Sequence, residues 1–162
     1  MNRTSALYGE FTSICKALND ELRITPVLYG SLGLAKTTGT DFSPQDIDIL
    51  VPLIFLEDRW DELCKVMKRL GYELIDLREH EFHNGEMQIG FSFIEDLKSF
   101  AAIDYLNLAV VEEDRAAYYE LNAVDYFKVY KKSSEDGYRR TKNDQKDLKK
   151  LKVLQQILEE KK

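Results

Sequence analysis

The sequence predicts an α+β fold: a mixed β-sheet of about five strands with helices packed mainly on one face. Two observations support this prediction. Helical and strand-like segments follow one another in the order helix, strand, strand, helix, three strands, then helices, which is typical of a mixed sheet with helices beside it. The 162-residue chain is also 44% hydrophobic, which provides enough apolar material for one packed core. We therefore predict a single domain over residues 1–162.

The first half of the chain contains the first predicted helix and two predicted strands. Apolar residues recur at helical spacing at Tyr8, Phe11, Cys15, Leu18 and Leu22. The apolar run 26–29 ends at Gly30-Ser31, which predicts a short buried strand that breaks into a tight turn. A polar loop is predicted over 36–45, and alternating acidic and apolar residues predict the next strand over 46–51.

The second half continues the sheet and ends in helices. The predicted elements are a helix over 60–70, strands over 72–78, 87–94 and 101–110, and helices over 118–131 and 144–158. The dipeptide Asn84-Gly85 between alternating segments predicts a hairpin turn. Residues 25–110 are thus the predicted core of the domain, and residues 114–160 are its predicted C-terminal helices.

Charge and composition exclude some classes of function. The net charge of -6 argues against a protein that coats nucleic acid by bulk attraction, because such binding requires Lys and Arg to neutralise a row of phosphates. It does not exclude a local basic site. No run approaches the roughly 20 apolar residues of a membrane span, so we expect no membrane partner and a cytoplasmic location. Cys15 and Cys64 lie on apolar helix faces and are predicted to be reduced core residues.

The tripeptide Asp46-Ile47-Asp48 has the clearest chemical pattern. Because successive side chains of a strand point to opposite faces, the two aspartates project from one face while Ile47 enters the core. Like charges this close repel, and a divalent cation between them relieves the repulsion. Magnesium suits hard oxygen ligands and keeps water and substrate phosphate in its remaining positions, so it is the predicted ion, with manganese as the alternative. A solvated acidic edge strand would show the same tripeptide.

Gly30-Ser31 adds a second pattern. A strand that ends in a glycine turn presents backbone N–H groups and a hydroxyl, which are donors for phosphate oxygens. In this chain the turn is followed by a polar loop and then by the two aspartates. This order over residues 27–52 resembles the nucleotidyltransferase superfamily that includes DNA polymerase beta and the antibiotic-modifying nucleotidyltransferases. The basic segment 138–148 resembles small bacterial members related to the antibiotic and abortive-infection nucleotidyltransferases.

The resemblance implies a reaction and the residues that support it. Gly30 and Ser31 would hold the triphosphate, and Asp46 and Asp48 would bind a pair of metal ions. A nucleoside monophosphate would pass from a nucleoside triphosphate to an acceptor hydroxyl, and pyrophosphate would leave.

The family also uses a third carboxylate from a neighbouring strand. Our candidate is Asp104, because an ionised residue in the otherwise apolar strand predicted over 101–110 needs a partner or a metal. Asp104 would complete the metal site and help the acceptor hydroxyl lose its proton. Asp96 is the second candidate for this position.

Three basic residues are further candidates for nucleotide binding. Lys36 follows the glycine turn, and Arg140 and Lys142 lie in the late basic segment. Fixed cations of this kind neutralise phosphates and the leaving pyrophosphate in phosphoryl transfer. The same charges also suit the solvated side of a terminal helix.

Two functions are compatible with these patterns. One is a metal-dependent nucleotidyltransferase, whose unidentified acceptor is a small molecule, an RNA end or a protein hydroxyl. The alternative is a catalytically inactive nucleotidyltransferase-like domain that senses nucleotides or binds a protein, because a fold does not guarantee activity. The placement of Asp104 distinguishes them. The sequence does not determine the oligomeric state.

Overall fold

The computed structural model describes residues 2–135 and 137–160, and within the last helix it describes side chains from residue 148 onward. The α-helices in this part of the chain are Arg3–Leu22 (α1), Gly30–Thr38 (α2), Trp60–Arg69 (α3), Asp96–Ala101 (α4), Ala123–Glu135 (α5) and Gly137–Glu160 (α6). The strands are Val27–Tyr29 (β1), Ile47–Val51 (β2), Glu73–Asp76 (β3), Glu81–His83 (β4), Gln88–Phe93 (β5), Ala109–Glu113 (β6) and Ala116–Glu120 (β7). None of the described helices is long and apolar enough to cross a membrane.

The strands form one mixed sheet in the order β3-β4-β5-β2-β1-β7-β6. β2 lies at its centre, antiparallel to β1 and parallel to β5, and β1 is in turn parallel to β7. The predicted α+β class with a mixed sheet is confirmed. The described residues form seven strands, where about five were expected; the two strands without a predicted counterpart are β4 and β7.

Helices cover both faces of this sheet, where the sequence placed them mainly on one. Side-chain alternation along β2 divides the core: Ile47, Ile49 and Val51 belong to one apolar cluster, and Leu50 belongs to the other. The first cluster includes buried residues of α1 and α3, and the second includes buried residues of α4 and α5. The central strand is therefore buried on both sides, except at Asp48, which is exposed.

The hairpin predicted at Asn84-Gly85 is present between β4 and β5. The Asn84 side-chain oxygen accepts the backbone N–H groups of Glu86 (2.9 Å) and Met87 (2.8 Å), and Gly85 has φ +96°. This left-handed conformation suits glycine, so the dipeptide acts here as the local sequence indicates.

Two predicted elements are wrong. The strand expected over 101–110 is instead the end of α4, a turn with Ala102 at φ +56°, a short 3-10 helix over Tyr105–Asn107, and only then β6. The helix expected from Tyr118 begins at Ala123, because the preceding residues form β7 between β1 and β6. Pairing with these strands overrides the local helical spacing.

Candidate active site

Gly30 and Asp48 are in direct contact at the junction between β1 and α2. Tyr29 pairs with Asp48 across the antiparallel β1–β2 ladder, so the next residue, Gly30, begins α2 beside the Asp48 carboxylate. Gly30 has φ +67°, and a Cβ at this position would overlap Asp48 Oδ2 and lie 3.0 Å from its Cγ. Glycine is required here both by the left-handed backbone and by the space that the carboxylate occupies.

A second glycine borders Asp48 on the opposite side. Gly90 of β5 is the parallel ladder partner of Asp48, and a Cβ on Gly90 would lie 3.4 Å from Asp48 Oδ1. The Asp48 carboxylate therefore lies between two residues that have no side chains. This arrangement leaves space for a ligand to approach the carboxylate from an adjoining cleft.

A cleft of about 400 Å³ opens in front of Asp48. Its polar lining includes Asp96 at the start of α4, Ser92 of β5 and the buried Ser133 of α5. Its other lining residues are Tyr29, Gly30, Ile49, Leu50, Gly90, Phe93, Leu97, Phe100, Val129 and Tyr130. The cleft thus combines two carboxylates with an apolar and partly aromatic wall, as small-molecule sites commonly do.

The N-terminus of α2 borders the same cleft. The first N–H groups of a helix have no intrahelical acceptor, and the side chain of the N-cap residue, Tyr29, does not cap this helix. Gly30 and the half-buried Ser31 occupy its first two positions. Backbone donors at a helix N-terminus, together with the positive end of the helix dipole, favour a bound anion such as phosphate.

Asp46 lies in a bend immediately before β2 and is exposed. Although the side chain is exposed, surrounding protein atoms partly desolvate its carboxyl and raise the pKa, and the nearby Arg3 guanidinium opposes that rise. Arg3 is positioned by two hydrogen bonds that it donates to the backbone oxygens of Gln45 and Glu86, both at 3.2 Å. α1 thus supplies a cation beside the first aspartate, which the sequence patterns did not indicate.

The structure does not support Asp104 as the third carboxylate. Asp104 is not in a strand: it caps the short 3-10 helix, where its Oδ1 accepts the backbone N–H of Leu106 at 3.0 Å. Its side chain is exposed and is not part of the cleft lining. The predicted placement on the sheet face of Asp46 and Asp48 is therefore wrong. The second candidate, Asp96, does line the cleft with Asp48.

Glu81 is an acidic residue near Asp48 that sequence analysis missed. Glu81 pairs with Gly90 across the β4–β5 hairpin, and a Cβ on Gly90 would lie 3.9 Å from Glu81 Cγ. Gln88 donates its side-chain amide to Glu81 Oε2 at 2.5 Å. Glu81 and Asp48 thus flank Gly90 in one row across the sheet. The hairpin register set by Asn84-Gly85 was the available signal.

Of the three predicted basic contacts, Lys36 does not line the cleft. The Lys36 ammonium lies over the Tyr8 ring, 4.1 Å from its centroid. Burial raises the pKa of Glu120, and the charge of Lys36 opposes that rise. Lys36 therefore faces α1 and β7. Arg140 and Lys142 fall within α6, where their side chains lie outside the described residues.

Comparisons with known proteins agree with this architecture. No protein-family model matches the chain. The uncharacterized protein YnaI of Bacillus subtilis (strain 168) is 55% identical over 152 residues, which cover 94% of this chain and 97% of YnaI.

Among solved structures, ANT(2")-Ia in complex with adenylyl-2"-tobramycin matches with a TM-score of 0.56 and 14% identity, covering 95% of this chain and 90% of that one. The solution structure of the antibiotic-resistance factor ANT(2'')-Ia matches with a TM-score of 0.48 and 14% identity, covering 96% and 94%. The first of these matches shows that the chain has a nucleotidyltransferase-like fold.

Proposed function

We propose that this chain is a nucleotidyltransferase of the superfamily that the sequence patterns at Gly30 and Asp48 resemble. The chain belongs to the family of the Bacillus subtilis protein YnaI. The reaction would transfer a nucleoside monophosphate from a nucleoside triphosphate to an acceptor hydroxyl. The supporting observation is the Asp48 carboxylate, which lies against Gly30 at the N-terminus of α2 and lines the cleft. A carboxylate beside a helix N-terminus can hold a cation next to a bound phosphate, and such positioning and charge neutralisation drive phosphoryl transfer.

The donor groups at this place suit magnesium, with manganese as the alternative. Asp48 and Asp46 are two hard oxygen donors separated by one residue, and magnesium is usually held by one or two carboxylates together with water and substrate phosphate. Neither glycine beside Asp48 has a side chain that would fill the position of such an ion. When bound, magnesium would neutralise developing charge on the phosphate oxygens.

Each group in or beside the cleft has a distinct proposed role, and Ser31 and Asp46 lie outside its lining. The first-turn amides of α2 and the Ser31 hydroxyl would bind and orient the triphosphate. Asp46 and Asp48 would hold the cation. Asp96, the second carboxylate of the cleft, would accept the proton from the acceptor hydroxyl as that oxygen bonds to the α-phosphorus. The aromatic wall would exclude water from the reacting groups.

A test of the donor site is Asp48→Asn, which keeps the size of the side chain and removes its charge. The melting temperature is measured while magnesium and each nucleoside triphosphate are titrated, because a ligand that binds the folded state raises apparent stability. We expect a magnesium-dependent rise for the wild type, and the loss of its magnesium-dependent part in the variant. Asp61→Asn on the exposed surface of α3 is the matched control and should behave as wild type.

Two observations favour the non-catalytic alternative. Asp104, the residue expected to distinguish the two functions, does not line the cleft. β5, the strand beside β2, has no acidic residue: Gln88 and Gly90 are level with Asp46 and Asp48, and Ser92, the next residue on that face, is level with Leu50. Within the described residues, no group of three His, Cys, Asp or Glu side chains could hold a metal ion. A domain that binds nucleotide without transferring it needs no third carboxylate.

Pyrophosphate release distinguishes the two functions. Purified protein is incubated with magnesium, each triphosphate and, in turn, small polyols, RNA and protein acceptors. Release that depends on an acceptor and is abolished by Asp48→Asn supports transfer. Magnesium-dependent binding without release under any of these conditions supports the nucleotide-binding module instead.

A further inference from the structure

A second concavity, of about 430 Å³, adjoins the cleft and has a different chemistry. It lies between α4 and α5, and Phe100 lines both it and the cleft. Its charged residues are Lys98, Lys128, Lys131, Lys132 and Glu135. Four lysines and one carboxylate give this lysine pocket a local positive charge in a chain whose net charge is -6. The remaining lining residues are Ser99, Ala101 and Ala102.

The four lysines are exposed, and three of them lie along one face of α5. Lys128, Lys131 and Lys132 follow the i, i+3, i+4 spacing that places side chains together, about one 5.4 Å turn apart. Lys98 projects into the same concavity from α4. No ion pair joins any of the four to another residue whose side chain the structure describes. Their charge is therefore directed at solvent or at an anionic ligand.

We propose that the lysine pocket binds a single-stranded RNA end and presents its terminal hydroxyl to the cleft. The proposal rests on the proposed nucleotidyltransferase function and selects one of the three acceptor classes that the sequence left open. Successive lysines suit the successive phosphates of a strand. The half-buried Phe100 ring, at the junction of pocket and cleft, suits stacking on a base, because every base has a flat π face.

Each site would bind one of the two substrates, the nucleoside triphosphate or the RNA. The triphosphate would lie at the N-terminus of α2, whereas the lysine pocket is formed by α4 and α5. The RNA hydroxyl oxygen forms a bond to the α-phosphorus of the nucleoside triphosphate, and the bond from that phosphorus to the bridging oxygen of the β-phosphate breaks. Pyrophosphate leaves with the electron pair, and Asp96 receives the hydroxyl proton.

Binding can be measured without any transfer reaction, so the pocket is tested separately from the enzyme activity. A fluorescent single-stranded RNA of roughly 12 nucleotides is titrated with the full-length protein, and anisotropy is followed from about 50 to 200 mM salt. Four phosphate contacts predict that log K falls with log salt with a slope of about -3.

Matched double variants test which lysines are responsible. Lys128→Gln/Lys131→Gln removes two charges of the pocket, and Lys65→Gln/Lys68→Gln removes two exposed charges at the same i, i+3 spacing on α3. We expect the pocket variant to weaken RNA binding at least tenfold at about 50 mM salt and to reduce the slope by about 1.4, whereas the α3 variant should bind as wild type.

Phe100→Leu tests the stacking contact while it keeps an apolar side chain at this position. Affinity should fall about tenfold, with the salt slope unchanged, because the ring carries no charge. Far-ultraviolet circular dichroism and thermal unfolding of each variant confirm that the fold is retained. A loss of affinity in a folded Phe100→Leu protein supports the proposal.

Three results would overturn the proposal: no RNA binding at about 50 mM salt, equal weakening by both lysine variants, or displacement of the RNA by inorganic tripolyphosphate at equal phosphate concentration. The last result would assign the pocket to free phosphate compounds. Failure of the proposed function has a different signature, because RNA would then bind through the pocket while no triphosphate released pyrophosphate.

Discussion

Replacing Gly30 by alanine should disrupt the Asp48 site while the chain stays folded. Alanine at φ +67° has a left-handed backbone, which costs roughly 1–2 kcal/mol. Its Cβ would also overlap Asp48 Oδ2, and moving that carboxylate costs about 1–3 kcal/mol if it behaves as an overpacked site. The sum predicts a loss of about 2–5 kcal/mol in the free energy of unfolding.

Gly39→Ala is a matched control for the backbone cost. Gly39 has φ +74°, and a Cβ at this position would meet no atom within 4 Å. This variant should lose only about 1–2 kcal/mol in the free energy of unfolding. The difference between the two losses in the free energy of unfolding measures the cost of displacing Asp48. This difference should disappear when both variants are made in an Asp48→Ala background, where the carboxylate is absent.

Urea denaturation measures the stability of these proteins, and calorimetric titration measures their affinity for ATP in the presence of magnesium. Gly39→Ala should keep wild-type affinity. Gly30→Ala should bind at least about tenfold more weakly, which corresponds to about 1.4 kcal/mol. Equal stability losses in the two variants, or wild-type affinity in a folded Gly30→Ala protein, would refute the claim that this glycine positions Asp48.

Three further predictions concern packing, pH and metal binding. Gly33→Ala should lower the free energy of unfolding, measured by urea denaturation, by about 1–3 kcal/mol, because its Cβ would overlap the buried Tyr126 hydroxyl. Gly9→Ala, with open space around it, should raise the free energy of unfolding by up to about 1 kcal/mol. Because the pKa of Asp46 is raised in the folded state, the metal-free wild type should lose stability relative to Asp46→Asn as pH rises above about 4, and a pH series of melting temperatures with a chelator checks this sign. Glu81→Gln should weaken magnesium-dependent ATP binding in calorimetry, because Glu81 lies across Gly90 from Asp48 and its charge favours a bound cation; unchanged binding would show that Glu81 does not contribute to the cation site.

The sequence was sufficient where local chemistry determines the structure. β1 ends at Gly30 because that residue has a left-handed backbone, and β2 keeps the alternation that exposes Asp48 between buried neighbours. The Asn84-Gly85 turn forms through contacts within four residues. Each of these features depends on residues that are close in the sequence, so their patterns could be recognised.

The errors had two causes, a backbone conformation and a distant contact. The run containing Asp104 is apolar enough for a strand, but the left-handed Ala102 ends α4 and turns the chain there. Tyr118 has helical spacing to later residues, yet it lies in β7 and packs edge-on against Phe11 of α1, with ring centroids 5.0 Å apart. The apolar pattern does not indicate a left-handed alanine, and a contact between residues so far apart is not visible in a local pattern.

The position of Asp48 on the central strand has a consequence for the exchange of backbone amide hydrogens. Loop-borne sites open by local fluctuation, whereas a residue between fully buried Ile47 and Ile49, paired with a strand on each side, exchanges only when the sheet itself opens. A shift of β2 by one residue would exchange Asp48 with an isoleucine and bury its charge. The slowest-exchanging amides of the chain should therefore include those of β2, so that the Asp48 site persists until the whole domain unfolds.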